Sequence, residues 1–342
     1  MIKIIVDGFG GDLSPKVNVE GAIKALNELN DLEIILSGDE EALNNELKKY
    51  KYDSSKVTIL HAPDVISCND KPTEAIKRKK ESSLVKAIEL LKTSDDVNGL
   101  VSIGSTGAIL AGAVLRIGRI PGVKRPAFCP ILPTMQRGIV AVCDSGANVD
   151  CDPLYLQQFA IMGSLYLERA FNVQNPKVAL LNVGVEEEKG DLLRKETYQL
   201  LKDTSSVNFV GNMESRDLLT GKYDLIVCDG FSGNVLIKST EGACIELLRL
   251  LKKTFKQNLK TKIGALIIKK DVYKIKDFMD YNNYGGAVLL GAKKTIVKGH
   301  GSSNEMAVYN CIKQAYNMEK NNLTKAISDA IANVATENKE GE

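Results

Sequence analysis

The chain has 342 residues, 26% of them charged, with 45 Lys+Arg against 43 Asp+Glu and a net charge of +2. That length holds a sizeable core, in one elaborated domain or two closely fused ones, and the near-neutral balance excludes a molecule-wide nucleic-acid footprint. The seven scattered cysteines (Cys68, Cys129, Cys143, Cys151, Cys228, Cys244 and Cys311) include no C-x-x-C pair; a reduced cytoplasmic compartment fits, and a disulfide framework or zinc site does not.

In chain order the pattern alternates strand and helix. Ile2 to Val6 reads as a strand, Lys16 to Leu29 as a helix, Glu33 to Ser37 as a strand, Glu40 to Tyr50 as a helix and Val57 to Leu60 as a strand. Continuous apolar strands separated by amphipathic helices imply a mostly parallel sheet covered on both faces, with ligands at the carboxyl ends of its strands. A basic run follows at Lys77, Arg78, Lys79 and Lys80, leading into a helix around Ser83 to Leu91. It reads either as a solvated helix face or as a docking patch for an acidic partner or anionic ligand.

Leu100 to Ile103 is the next strand, Gly107 to Arg116 a helix, and Ala127 to Leu132 and Ile139 to Cys143 two further strands. Tyr155 to Phe171 is a long helix, Lys177 to Asn182 a strand and Leu192 to Leu201 a helix. Between the last two, Lys189 stands beside three acids and is the strong cation candidate of this region. The run Leu225 to Val227 breaks at Asp229-Gly230, passes two glycines and resumes as a helix expected to start at Asn234, whose outward N–H groups and dipole suit an anion.

From Arg249 to Lys276 ten basic residues face one acid, Asp271, interleaved with apolar side chains. This basic amphipathic element, at about 245–280, reads as an interfacial surface for anionic lipid or as core packing with a basic outer face. No apolar stretch approaches the roughly 18 residues that cross a bilayer, and no signal-peptide layout opens the chain. Thr295 to Lys298 is a strand and Asn304 to Glu319 a helix; residues 1–336 read as a single α/β domain and 337–342 as a frayed tail.

Four glycine-rich loops share one grammar and are expected to converge: Asp7 to Asp12, Ser102 to Gly107, Asp229 to Asn234 and Lys298 to Ser303. With only His61 and His300 available, no Ser/His/Asp triad assembles, and no carboxylate–histidine cluster suggests a metal. Small donors remain, and they suit an oxyanion or phosphate. Phosphate needs no serine or cysteine nucleophile, because its dianion is abundant near neutral pH and the protein has only to position it and stabilise the developing charge.

Together, Asp7-Gly8-Phe9-Gly10-Gly11-Asp12, Ser102-Ile103-Gly104-Ser105-Thr106-Gly107-Ala108, Glu188-Lys189-Gly190, Val227 to Val235, Tyr284-Gly285-Gly286-Ala287 and His300-Gly301-Ser302-Ser303 resemble the PlsX family of fatty acyl phosphate synthases. The blocks run in family order over nearly the whole chain, with Lys71-Pro72 and Arg78-Lys79-Lys80 among them. Two positions depart: the family usually has Asp-Ala-Met where this chain has Asp7-Gly8-Phe9, and His where it has Asn283.

The resemblance implies a three-layer α/β sandwich similar to phosphotransacetylase and isocitrate-type dehydrogenase folds. It implies transfer of a long-chain acyl group from acyl carrier protein to inorganic phosphate by a homodimer that associates peripherally with the membrane; the residues themselves suggest no cofactor or metal, a cytoplasmic location and attraction to an anionic membrane surface. Lys189, Asp229 and Asn234 are the expected catalytic residues, with Asp229 orienting Lys189 or a loop amide. Gly10, Gly11, Asp12, Gly104, Ser105, Thr106, Gly107, Gly233, His300, Ser302 and Ser303 are expected to bind substrate or phosphate, and Lys77, Arg78, Lys79 and Lys80 to dock the carrier. Competing readings are a short-chain, coenzyme A-dependent phosphotransacylase, a metal-assisted hydroxy-acid dehydrogenase, and a non-catalytic membrane-surface scaffold that binds the acidic carrier.

Overall fold

Apolar alternation divides each strand between two cores. The structure is a computed structural model describing residues 1–136, 138–279 and 281–340, with side chains described except at 275–279, 281–282 and 335–340. Its strands are β1 (Ile2–Asp7), β2 (Leu32–Gly38), β3 (Val57–His61), β4 (Gly99–Ser102), β5 (Ala127–Cys129), β6 (Ile131–Pro133), β7 (Ile139–Cys143), β8 (Val178–Asn182), β9 (Phe209–Glu214), β10 (Leu225–Val227), β11 (Ala287–Leu290) and β12 (Thr295–Lys298). Its α-helices are α1 (Lys16–Glu28), α2 (Glu40–Leu47), α3 (Pro72–Arg78), α4 (Ser83–Thr93), α5 (Thr106–Gly112), α6 (Pro153–Phe171), α7 (Leu192–Lys202), α8 (Gly230–Phe255), α9 (Leu259–Met279), α10 (Glu305–Lys320) and α11 (Leu323–Glu340).

The strands form two sheets where one was expected. The seven-stranded sheet has the order β3-β2-β1-β4-β12-β11-β5 and the five-stranded sheet β6-β7-β10-β8-β9. Both are parallel except at one side, where β11 runs antiparallel to β12 and β5, and β6 antiparallel to β7. Ile4, Val6, Val101 and Val297 enter one core with Leu225 and Val227 of the other sheet, so this core is common to both. Ile5, Leu100 and Ile296 point the opposite way, against α4 and α5, while Ile226 and Cys228 meet Leu236 of α8 in a third cluster. This period of two puts helices on both faces, the layered α/β arrangement that the strand–helix alternation predicts.

The run expected as one strand, Ala127 to Leu132, is split between the sheets. Pro130 has no N–H to give a ladder, and the chain passes there from β5 to β6. The helix expected from Gly107 to Arg116 is α5 followed by a π turn, Ala113–Ile117, which ends at Gly118 with φ 87°. Strand β9 and helices α3 and α11 are additions to the sequence reading. Helix α11 runs to Glu340; residues 341–342 of the expected tail, and Asp280 at the end of the basic element, lie outside the described residues. No helix among the described residues is long and apolar enough to cross a membrane.

Candidate active site

Strands β7 and β10 pair in parallel with Val227 opposite Cys143, so the two similar segments that leave them, 143–148 and 228–234, lie side by side. Asp144 is the organiser of this region. Its buried carboxylate accepts from the amides of Phe128 at 3.0 Å, Gly146 at 3.1 Å and Asn148 at 2.7 Å, and from Asn148 Nδ2 at 2.9 Å. Burial pushes its carboxyl up, against the lowering effect of the Ala147 and Asn148 donors. The Phe128 bond ties the end of β7 to β5, and thus one sheet to the other.

Helix α8 starts four residues earlier than the sequence reading has it. Asp229 is its cap, accepting from Ser232 N at 2.8 Å, and the glycines lie in the first turns of the helix, not in a loop. An added Cβ at Gly230 would stand 2.6 Å from Asn148 O, and one at Gly233 would stand 1.9 Å from Asp144 O. These glycines permit helix and loop to touch. The expected anion position at this helix start is already filled by the Asp229 carboxylate, which also pairs with Arg194 Nη2 and accepts from Ser232 Oγ at 2.8 Å. The sequence reading has Asp229 orienting Lys189 or a loop amide; it instead holds the Ser232 amide in the first turn of α8 and pairs with Arg194, not Lys189.

The other strand ends are equally interlocked. Buried Asp7 accepts from Ser102 Oγ at 2.7 Å, Gly104 N donates to Ser102 Oγ at 3.1 Å, and Asp12 N donates to Gly301 O at 2.8 Å. Burial raises the Asp7 carboxyl against the Ser83 and Ser102 hydroxyls. Phe9 N donates to Asp7 Oδ1 at 3.4 Å, and a Cβ at Gly10 would lie 2.7 Å from the Asp7 carboxylate, so Gly10 and Gly104 shape the loops, and the Gly104 amide is already engaged by Ser102. Gly11, at φ +91°, abuts Ile103, and Gly107 abuts Pro72 at the start of α3. The amide of Gly233 likewise donates inside the helix, to Asp229 O.

A cavity of about 380 Å³ lies where the sheets meet. Thr106 and His300 reach it from the seven-stranded sheet, and Ser145, Gly146 and Asn234 from the five-stranded one. Asn234 Nδ2 donates to Ser145 O at 3.1 Å, which fixes the amide at the cavity wall. Ser302 N donates to His300 Nδ1 at 3.3 Å, leaving the proton of the neutral ring on Nε2, and Ser302 Oγ stands 2.8 Å from the same nitrogen. Burial and the neighbouring Lys298 cation lower the His300 pKa, opposed by Asp12. Ser303 is buried and its hydroxyl has no hydrogen-bond partner among the described residues. Ser105 precedes α5 without a side-chain capping bond.

Three charged groups that the sequence reading did not single out also line this cavity: Lys298 at the end of β12, and Lys238 and Glu241 on α8. Lys238 lies four residues after Asn234, one turn along the same helix face, which was the available signal. Lys189 is elsewhere. It is exposed on the loop after β8, on the carboxyl edge that β8 shares with β10, and is not part of the cavity wall.

In the basic patch Lys77, Arg78 and Lys80 are exposed. Lys79 is not: its ammonium donates to Val65 O and to Asp70, each at 2.9 Å, and so it braces the loop before α3. Pro72, at the start of the same helix, packs against Gly107, which follows the cavity-lining Thr106; the basic residues lie at the other end of α3 and do not line the cavity.

A family model described as fatty acid synthesis protein matches residues 2–326. A phosphate acyltransferase of Clostridioides difficile is 43% identical over 341 residues, covering 100% of this chain and 99% of its own. One of Clostridium novyi is 47% identical over 330 residues, covering 96% and 98%. Among solved structures, a phosphotransacetylase from Streptococcus pyogenes aligns with TM-score 0.59 at 18% identity over 93% of this chain and 94% of its own. One from Staphylococcus aureus aligns with TM-score 0.58 at 16% identity over 92% and 94%, and at such identities the likeness is one of fold. With a family match over nearly its whole length and full-length relatives above 40% identity, the chain belongs to the PlsX family of phosphate acyltransferases.

Proposed function

We propose that this chain transfers a long-chain acyl group from an acyl carrier protein thioester to inorganic phosphate. The observation that carries the reading is the cavity in which Thr106 and His300 of one sheet meet Asn234 and Ser145 of the other. A phosphate oxygen attacks the thioester carbonyl, the C–S bond breaks, and the proton of the hydrogen phosphate goes to the departing thiolate. Acyl phosphate and carrier thiol result. Neutral hydroxyl, imidazole and amide donors hold the anion and the developing oxyanion, which are positioning and electrostatic tasks. Among the described residues no cysteine lines the cavity, and in this reading phosphate itself is the nucleophile.

The exposed Lys77, Arg78 and Lys80 suit an acidic carrier by charge complementarity. Lys189, exposed on the loop after β8 and outside the cavity wall, is assigned to the carrier-borne arm of the substrate. The hairpin of α8 and α9 exposes Leu250, Leu259, Leu266 and Ile267 among its lysines, which supports peripheral docking on an anionic membrane; the acting unit is proposed as a homodimer.

The test is thioester consumption with and without phosphate, comparing a long-chain acyl carrier protein with acetyl-coenzyme A. Phosphate-dependent loss of the carrier thioester, with little turnover of acetyl-coenzyme A, is expected. The reverse preference would make the chain a short-chain phosphotransacylase, and binding of the carrier without any phosphate-dependent loss would make it a scaffold.

A further inference from the structure

The wall of the cavity holds a cation, Lys298, that makes no hydrogen bond or ion pair among the described residues. Lys298 is the last residue of β12, and it lines the cavity together with Lys238 and Glu241 of α8. Its side chain is largely covered. Among the described residues Glu241 is the one carboxylate in the wall; it makes no ion pair with Lys298, and Lys238 adds a second positive charge. With His300 neutral, the lining therefore carries a net positive charge. A half-buried ammonium is costly to leave without a counter-charge, and it attracts an anion more strongly than an exposed one, because solvent screens it less. The hydroxyl and amide donors of Thr106 and Asn234 share this cavity.

We propose that Lys298 is the group that binds the phosphate, with Lys238 as a second, more exposed pole. This rests on the reaction proposed above and adds which residue recognises its inorganic substrate. The assignment separates two lysines by substrate: Lys298 serves the phosphate, and Lys189 the carrier-borne thioester. Burial holds the Lys298 pKa below the ordinary lysine value, with Lys238 acting in the same direction and Cys311, Glu241 and Cys68 opposing it. Phosphate affinity should accordingly fade as pH rises through a range where an ordinary lysine remains charged.

The test uses the full chain and inorganic phosphate. Lys298→Met keeps the length of the side chain and removes its charge. It should raise the KM for phosphate about 10- to 100-fold, the scale of a lost hydrogen bond to a charged group, while the KM for the acyl carrier thioester stays within about twofold of wild type on the same reasoning. Phosphate should raise the Tm of the wild type in proportion to the logarithm of its concentration, and should fail to do so in the variant. Lys238→Met, at an exposed position that tolerates change, should raise the phosphate KM by a smaller factor. If Lys298→Met does not fold, Lys298→Gln and Lys238→Met carry the same comparison through the phosphate KM and the Tm response. An unchanged phosphate KM and an unchanged Tm response in these variants would overturn the proposal and leave the acyl transfer intact. A wild type without phosphate-dependent thioester loss would instead overturn the reaction itself.

Discussion

Two glycines of one helix should respond to alanine in opposite ways. At Gly233 a methyl group would stand 1.9 Å from Asp144 O and 2.9 Å from Cys228 Sγ, where real contacts of this kind stay above 3.0 Å. The Asp144 carbonyl must therefore withdraw by about 1 Å, and it belongs to the loop that presents Ser145 and Gly146 to the cavity. Overpacking of a tight contact costs about 1–3 kcal/mol, and a displacement of 1 Å at a reacting site costs on the order of 100-fold in rate. At Gly242 nothing lies within 4 Å. Alanine there should stabilise the helix by roughly 0.5–1 kcal/mol, through backbone entropy alone, and leave turnover unchanged. Denaturant melts and kcat/KM for phosphate-dependent thioester loss decide the matter. A Gly233→Ala protein with wild-type stability and kcat/KM would refute the interlock of α8 with the 143–148 segment.

Arg194→Met should leave the Asp229 carboxylate buried without its cation and lower unfolding free energy by about 3–5 kcal/mol, read as a shift in denaturant midpoint. The Arg194→Met/Asp229→Asn double variant should recover part of that loss, because the unpaired charge is gone. Changing Lys77, Arg78 and Lys80 together to Gln should weaken carrier binding and flatten its salt dependence with little change in Tm. Lys79→Met should lower Tm instead, because its ammonium braces Val65 and Asp70. Changing Lys252, Lys253, Lys256 and Lys260 to Gln should weaken binding to anionic vesicles by roughly 1 kcal/mol per charge, measured by co-sedimentation, and leave turnover in solution intact.

The parts of the fold that depend on local pattern were readable in the chain. Runs such as Ile4-Ile5-Val6 and Leu100-Val101 alternate between two cores, and their glycine-rich ends mark the carboxyl edge where a ligand binds. What depends on contacts across the fold was not. Gly230 and Gly233 read as a loop because glycine ordinarily weakens a helix, yet here a helix needs them to approach Asn148 and Asp144. Asp229 gives no sign of Arg194, which lies 35 residues earlier and meets it only because β8 and β10 are neighbours. Asp144 looks like ordinary turn chemistry until Phe128, on the other sheet, donates to it. Lys189 drew notice because it stood among acids, and Lys298 did not, because its value depends on which face of β12 it occupies and on what α8 sets opposite. A split at Pro130 turned one expected strand into the hinge between two sheets, a consequence of pairing rather than of propensity.

The central claim is that phosphate attacks the thioester directly, without an acyl-enzyme intermediate. It is tested by mixing stoichiometric protein and acyl carrier thioester, first without phosphate and then with it, and following carrier and enzyme by intact-mass spectrometry. The account predicts that the carrier stays acylated and the enzyme mass is unchanged until phosphate is added, after which one carrier thiol and one acyl phosphate form per thioester consumed. Release of carrier thiol before phosphate is added, with the acyl group retained on the enzyme, would contradict it.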